Sequence, residues 1–167
     1  LCLGRYYAWG DTINRASYTE ETYMSPYKGK RAEDDNFYSI DPEFDAATHL
    51  WGDQWKTPKP GDFNDLVNAC SYYDENSNLV VYDIEWKPDY NGLSGFLFKS
   101  HRIEGNELFL PAGGHVYDTT PIYYGDGCFY WTTDVFLAGI EIQFTTFASC
   151  TQYYSDTNPG NSRINGI

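Results

Sequence analysis

The sequence predicts an α+β domain, with two short helices early, antiparallel strands late and long ordered loops between them. Three observations lead there. Aromatic residues make up 19% of the 167 residues, with 16 Tyr and 5 Trp against one Met, and that excess favours strands and flat contact surfaces over helix bundles. Helical spacing of apolar residues is confined to residues 41–70. From Leu79 onward the apolar period shortens to two, the signature of strands. The length suits one domain with its own core, spanning residues 1–167, and no internal repeat divides it.

In chain order, Arg5-Tyr6-Tyr7-Ala8-Trp9 is a short aromatic segment closed by Gly10-Asp11-Thr12. Residues 13–40 lack periodicity and read as an irregular loop layer. Asp41 to Leu50 predicts the first helix: Asp41 caps the free amides, Pro42 suits the first helical position, and Trp51-Gly52 ends it. The second helix begins at Pro60-Gly61-Asp62 and carries Phe63, Leu66, Val67 and Cys70 at i, i+3, i+4, i+7, one apolar stripe. Cys70 on that stripe reads as a core residue.

Leu79 to Trp86 is β-branched and aromatic, with Tyr82, Ile84 and Trp86 on one face. Lys87 to Gly92 reads as a turn by composition. Phe96 and Phe98 share a face of the next strand, which a turn at Glu104-Gly105-Asn106 folds against Glu107 to Leu110 as a hairpin. Gly139 to Phe144 alternates Ile140, Ile142 and Phe144 inward with Glu141 and Gln143 outward. Ser162 to Ile167 has the wording of a strand cut short.

The stretch Gly105 to Thr133 organises the chain. It runs from the strand Leu108-Phe109-Leu110 and Pro111 through the small-residue bend Ala112-Gly113-Gly114, where a missing Cβ frees the backbone. A Tyr-, Asp- and Gly-rich run follows and ends in Phe129-Tyr130-Trp131-Thr132-Thr133. Long ordered loops pinned by strands are where binding residues concentrate.

Charge and cysteine usage narrow the function. With 11 Lys+Arg against 24 Asp+Glu, the formal net charge is -13, which repels phosphate backbones and argues against nucleic acid. The one basic cluster, Lys28-Gly29-Lys30-Arg31, is followed at once by Glu33, Asp34 and Asp35. That acidic run lacks EF-hand spacing and reads as a solvated charge run. Cys2, Cys70, Cys128 and Cys150 form no CxxC pair, so a zinc site is poorly supported. Four cysteines allow three disulfide connectivities, and free buried thiols are the alternative. No apolar run approaches the roughly 20 residues that span a bilayer, so membrane insertion by this segment is not expected.

The motifs Tyr6-Tyr7-Ala8-Trp9-Gly10-Asp11-Thr12, Asp45-Ala46-Ala47-Thr48, Trp51-Gly52, Trp55-Lys56-Thr57-Pro58, Asp62-Phe63-Asn64-Asp65-Leu66, Phe109-Leu110-Pro111-Ala112-Gly113-Gly114 and Tyr130-Trp131-Thr132-Thr133 occur in this order. In that order they resemble the Fibrobacter succinogenes major paralogous domain family, abundant in gut Bacteroidetes surface proteins. That family is similar to the sulfatase-modifying (formylglycine-generating) variant of the C-type lectin fold. The resemblance implies a C-type lectin-like domain, a twisted antiparallel sheet with two helices and long ligand-presenting loops, on an extracellular or cell-surface protein. Three departures stand out. The family's opening strand and its closing Ser-Val-Arg-Pro-Val strand are missing, which implies trimming at both ends. Lys56 replaces the usual Arg before the Pro-Thr motif. The segment Thr145 to Asn161 departs from the family wording.

Some members of this lectin-fold group are variable proteins of diversity-generating retroelements. In these, adenine-directed mutation of Asn codons rewrites surface positions near the C-terminus to residues such as Tyr, Ser, Asp, Thr and Gly. Tyr117 to Asn161 is rich in those residues, interrupted by the framework-like Tyr130-Trp131 and Ile140 to Phe144. Any Tyr/Ser/Thr/Asn-rich loop has the same composition, and both readings stay open.

The function expected is therefore non-enzymatic binding of a protein or glycan ligand on another cell surface. Tyr offers amphipathic contact area at low entropic cost, while Ser, Gly and Asn adapt their hydrogen bonds. The candidate contact residues are Tyr117, Asp118, Tyr123, Tyr124, Asp126, Phe129, Asp134, Phe136, Phe147, Tyr153 and Tyr154; Tyr130, Trp131 and Phe144 are assigned to the core. No cofactor is expected. The calcium-linked sugar tripeptides Glu-Pro-Asn and Trp-Asn-Asp do not occur, which leaves calcium at most as a structural brace. Two alternatives stand behind binding. One is a formylglycine-generating-type thiol oxidase using Cys128 and Cys150, and the other is a structural surface or pilus component. A reactive thiol needs an electropositive setting, whereas Asp126, Asp134 and Asp156 surround these cysteines in sequence. No GxSxG, HExxH or P-loop motif is present, and His49, His101 and His115 are isolated.

Overall fold

The computed structural model describes residues 5–30, 35–76, 78–134, 139–143 and 151–152, with residues 73, 79–82, 139–143 and 151–152 described by backbone alone. The architecture is α+β. Among the described residues the α-helices Ala46–Trp51 and Pro60–Ala69 precede ten short strands, and every strand pairing is antiparallel. Residues 5–30 contain no strand or helix, as an aperiodic Tyr/Ser/Lys sequence predicts.

The helix Pro60–Ala69 follows its sequence. Asp62 in the first turn accepts the Lys59 backbone amide at 2.7 Å, satisfying one group at the helix entry. Phe63 and Cys70 are buried, and Leu66 and Val67 pack beside them. The first helix differs from its expected form. Pro42–Phe44 forms a single 3-10 turn, and the α-helix starts only at Ala46, with Asp45 as its cap. The physical reason is competition for Asp41. The Tyr27 hydroxyl donates to its carboxylate at 2.9 Å and accepts its backbone amide at 2.7 Å.

Strand β1 (Ser71–Tyr73) pairs with β2 (Leu79–Tyr82). The central sheet follows: β3 (Ile84–Tyr90), β4 (Leu93–Lys99) and β5 (Glu107–Pro111), in the order β3-β4-β5. The expected continuous strand 79–86 is interrupted at Asp83, whose amide bonds the Cys70 carbonyl at 2.9 Å. The expected turn 87–92 is shorter than composition implied. β3 continues to Tyr90, and Asn91 and Gly92 alone make the reversal, at φ 56° and 90°, the tight hairpin chemistry of Asn-Gly. Phe96, Leu97 and Phe98 in β4 are all buried, so this strand is covered on both faces.

Next comes a small hairpin of β6 (His115–Tyr117) and β7 (Thr120–Ile122). β8 (Gly127–Trp131), β9 (Gly139–Gln143) and β10 (Thr151–Gln152) form the last sheet, in the order β10-β9-β8. The strand expected at Gly139 to Phe144 is present through Gln143. Phe144 and the strand expected at Ser162 to Ile167 lie outside the described residues.

Buried residues form three clusters. The largest joins Phe63 and Cys70 to Phe96, Phe98, Ala112 and Cys128, which seats the second helix on the central sheet and β8. Trp9, Tyr27, Ile40 and Trp131 form the second; Ala8, Tyr18, Tyr23 and Val116 form the third. Both bring the strandless N-terminal segment onto the organising stretch. The two indoles fasten it reciprocally: Trp9 Nε1 donates to the Thr132 carbonyl at 2.8 Å and Trp131 Nε1 to the Tyr7 carbonyl at 2.7 Å.

Candidate functional site

The organising stretch is an exposed hairpin and turn set on a heavily bonded frame. Gly114 has φ +63°, and a Cβ there would lie 2.2 Å from the Ile122 carbonyl oxygen, so the bend accepts glycine alone. Its amide donates to the Gly127 carbonyl at 2.9 Å, and the Gly125 amide donates to the Ala112 carbonyl at 2.8 Å. The hydroxyls of Tyr6, Tyr130 and Ser94 donate to the carbonyls of Gly113, Pro111 and Gly125, each at 2.7 Å. Asp118, at the tip of the β6–β7 hairpin, is bridged through its backbone to Tyr18. The N-terminal layer, the central sheet and β8 all hold this one loop.

On that frame Tyr117, Tyr123 and Tyr124 are 59%, 55% and 57% exposed, and Asp118 and Asp126 are exposed beside them. His115 and Tyr117 are two residues apart on β6, so they share a face, while Val116 between them is buried on the other. Tyr123 sits at φ 56°, a left-handed backbone that costs a bulky residue about 1–3 kcal/mol. Its carbonyl accepts the amides of Asp126 and Gly127 at 3.0 and 2.9 Å, closing the turn.

Phe129, grouped with the contact residues on sequence grounds, is only 5% exposed and has to be reassigned. Its ring stacks beneath Tyr123 at 5.8 Å and meets His115 edge-on at 4.8 Å, so it props the surface from below. β8 is buried on both faces, and period-two alternation therefore gave no sign of this. Asp134 is half-buried and paired through its backbone with Ser39, away from the hairpin tip. Phe136, Phe147, Tyr153 and Tyr154 lie outside the described residues. Trp131 is buried, and Tyr130 is half-buried with its hydroxyl bonded, in keeping with framework roles.

His115 is the residue sequence reasoning missed. Its ring lies against both Phe129 and Tyr123, its Nδ1 is buried without a hydrogen-bond partner, and burial lowers its pKa below the ordinary value. A second aromatic feature was legible only as motif wording: Trp51 and Trp55 are 66% and 60% exposed, with ring centroids 5.9 Å apart.

The two described cysteines are free thiols. Burial pushes the Cys128 thiol up to about 12 and raises Cys70 as well, so both stay protonated near neutral pH and are poor nucleophiles. Cys2 and Cys150 lie outside the described residues. An open apolar groove of about 370 Å³ runs past Leu66, Cys70, Phe98 and Leu108. Among the described residues no group of three His, Cys, Asp or Glu side chains could hold a metal ion, and no helix is long and apolar enough to cross a membrane. No protein-family model, curated protein or solved structure matches this chain.

Proposed function

We propose that this chain is a non-enzymatic binding domain of C-type lectin-like, formylglycine-generating-type architecture. It acts at the cell surface or outside the cell, presenting the tyrosine hairpin to a protein or glycan ligand. One observation carries the reading: Tyr117, Tyr123 and Tyr124 stay more than half exposed although hydrogen bonds from three parts of the chain immobilise the loop that bears them. Aromatic side chains that are exposed and already ordered lose little entropy on binding and bury large areas. The left-handed Tyr123 adds backbone strain of the kind that accumulates at binding sites. The lectin-like architecture rests on the motif order, with which two helices ahead of antiparallel strands agree. Buried, protonated Cys128 favours binding over thiol chemistry.

The test is a glycan and protein array probed with the full chain and with Tyr117→Ala/Tyr124→Ala, both exposed positions. Ligands retained by the parent and lost by the variant, with an unchanged melting curve, are the expected result. Ligands bound equally by both would place the site elsewhere. Diversification by a retroelement belongs to the same proposal, and its test is the locus: a reverse transcriptase gene and a template repeat differing from the late segment at adenines.

A further inference from the structure

The charge around the tyrosine hairpin is one-sided in a way that names a partner chemistry. Between Arg102 and Arg163 the sequence contains no Lys or Arg at all, while Asp and Glu recur through the same span. This span holds the whole hairpin and both carboxylates at its surface. Asp118 and Asp126 are exposed, and ion pairs such as Arg15–Asp11, Lys28–Glu20, Lys87–Glu85 and His101–Asp83 lie elsewhere. Arg15, whose amide bonds the Tyr18 hydroxyl behind the hairpin, keeps its guanidinium on Asp11 at 2.7 Å. His115, the basic side chain of the hairpin itself, is held toward its neutral form by burial.

We infer that the tyrosine hairpin recognises a cationic protein segment, with Tyr117, Tyr123 and Tyr124 as faces for arginine or lysine and Asp118 and Asp126 as the countercharges. The inference rests on the reading of the hairpin as a binding surface and names its partner. A guanidinium stacks on a tyrosine face and at the same time donates charge-assisted hydrogen bonds to a carboxylate. Both halves of that contact are present, and among the described residues no ion pair occupies either carboxylate. A neutral glycan would stack on the rings and donate hydroxyl hydrogen bonds to the carboxylates, but would leave their charge uncompensated. The net charge of -13 further steers positive partners toward the molecule as a whole.

The experiment uses the full chain and three synthetic peptides of alternating sequence, Arg-Gly, Lys-Gly and Glu-Gly, followed by fluorescence anisotropy at low and high salt. The Arg-Gly peptide should bind at least about tenfold more tightly than the Glu-Gly peptide, and raising the salt should weaken it several-fold. Asp118→Asn/Asp126→Asn and, separately, Tyr117→Ala should each weaken Arg-Gly binding by about fivefold or more. Glu43→Gln/Asp53→Asn, which removes the same charge from exposed positions away from the hairpin, should change it less than about twofold. Equal weakening by both acid pairs would reduce the effect to net charge and overturn the inference, as would absence of Arg-Gly binding. Should the array yield a neutral or acidic ligand that Tyr117→Ala/Tyr124→Ala abolishes, the cationic partner falls while the binding surface stands. Should array ligands ignore that variant, the binding surface itself falls.

Discussion

His115 ties the exposed hairpin to pH through a single ring. The imidazole is packed against both Phe129 and Tyr123 with Nδ1 unpartnered, and burial sets its folded pKa below the ordinary 6.5. More than about one unit above the ordinary value the ring is neutral in both the folded and unfolded chains and contributes no pH dependence. As pH falls below that value, the unfolded chain takes up the proton first and stability declines, until the folded ring titrates too. Urea unfolding across this range should show that decline, and His115→Asn should flatten it; an unchanged slope would mean that carboxylates account for all of it. The sequence displayed His115 only as an isolated histidine. Its role depends on Phe129 folding under Tyr123, a contact set by β8 being buried on both faces, and no periodicity announces that.

Asp45 organises an element. It is 3% exposed, and its carboxylate accepts four bonds: the amides of Ala47 and Thr57 at 3.1 and 2.9 Å, and the hydroxyls of Thr48 and Thr57 at 2.8 and 2.5 Å. It thus caps the helix Ala46–Trp51 and holds the returning segment that carries Trp55. Asp45→Ala leaves those donors without their acceptor and should cost about 2–4 kcal/mol; Asp45→Asn should recover part of it, both measured by chemical denaturation. The existence of both helices was legible because capping residues and the Phe63, Leu66, Val67, Cys70 stripe are local signals. The start of the first was not. Two aspartates precede it, and the choice between them is made by Tyr27, 14 residues before Asp41. The reversal after β3 was legible only as a turn somewhere in Lys87 to Gly92; its backbone requirement sits within Asn91 and Gly92, the last two of those residues.

At the scale of the whole molecule, Trp9 and Trp131 fasten the strandless N-terminal layer to the last strand of the organising stretch. Trp9→Phe and Trp131→Phe each remove one indole donor and should destabilise by about 1–2 kcal/mol. The two bonds hold the same pair of segments, so the double variant should depart from additivity by about 0.5 kcal/mol or more in a thermodynamic cycle. Additive losses would show the two bonds to be independent. Neither bond was legible in advance; the sequence shows two tryptophans far apart and nothing that makes them partners.

That separation has a consequence for how the molecule is made. The bond from Trp9 joins groups 123 residues apart, and contacts between distant parts of a chain form late because a long loop must close first. During synthesis the aromatic segment Tyr6 to Trp9 leaves the ribosome long before Thr132, whose carbonyl accepts the Trp9 indole N–H, has followed. The frame beneath the tyrosine hairpin is therefore among the last parts to assemble. A chain stopped before residue 131 would carry every exposed tyrosine of the hairpin and lack both indole bonds that fasten the N-terminal layer beneath it.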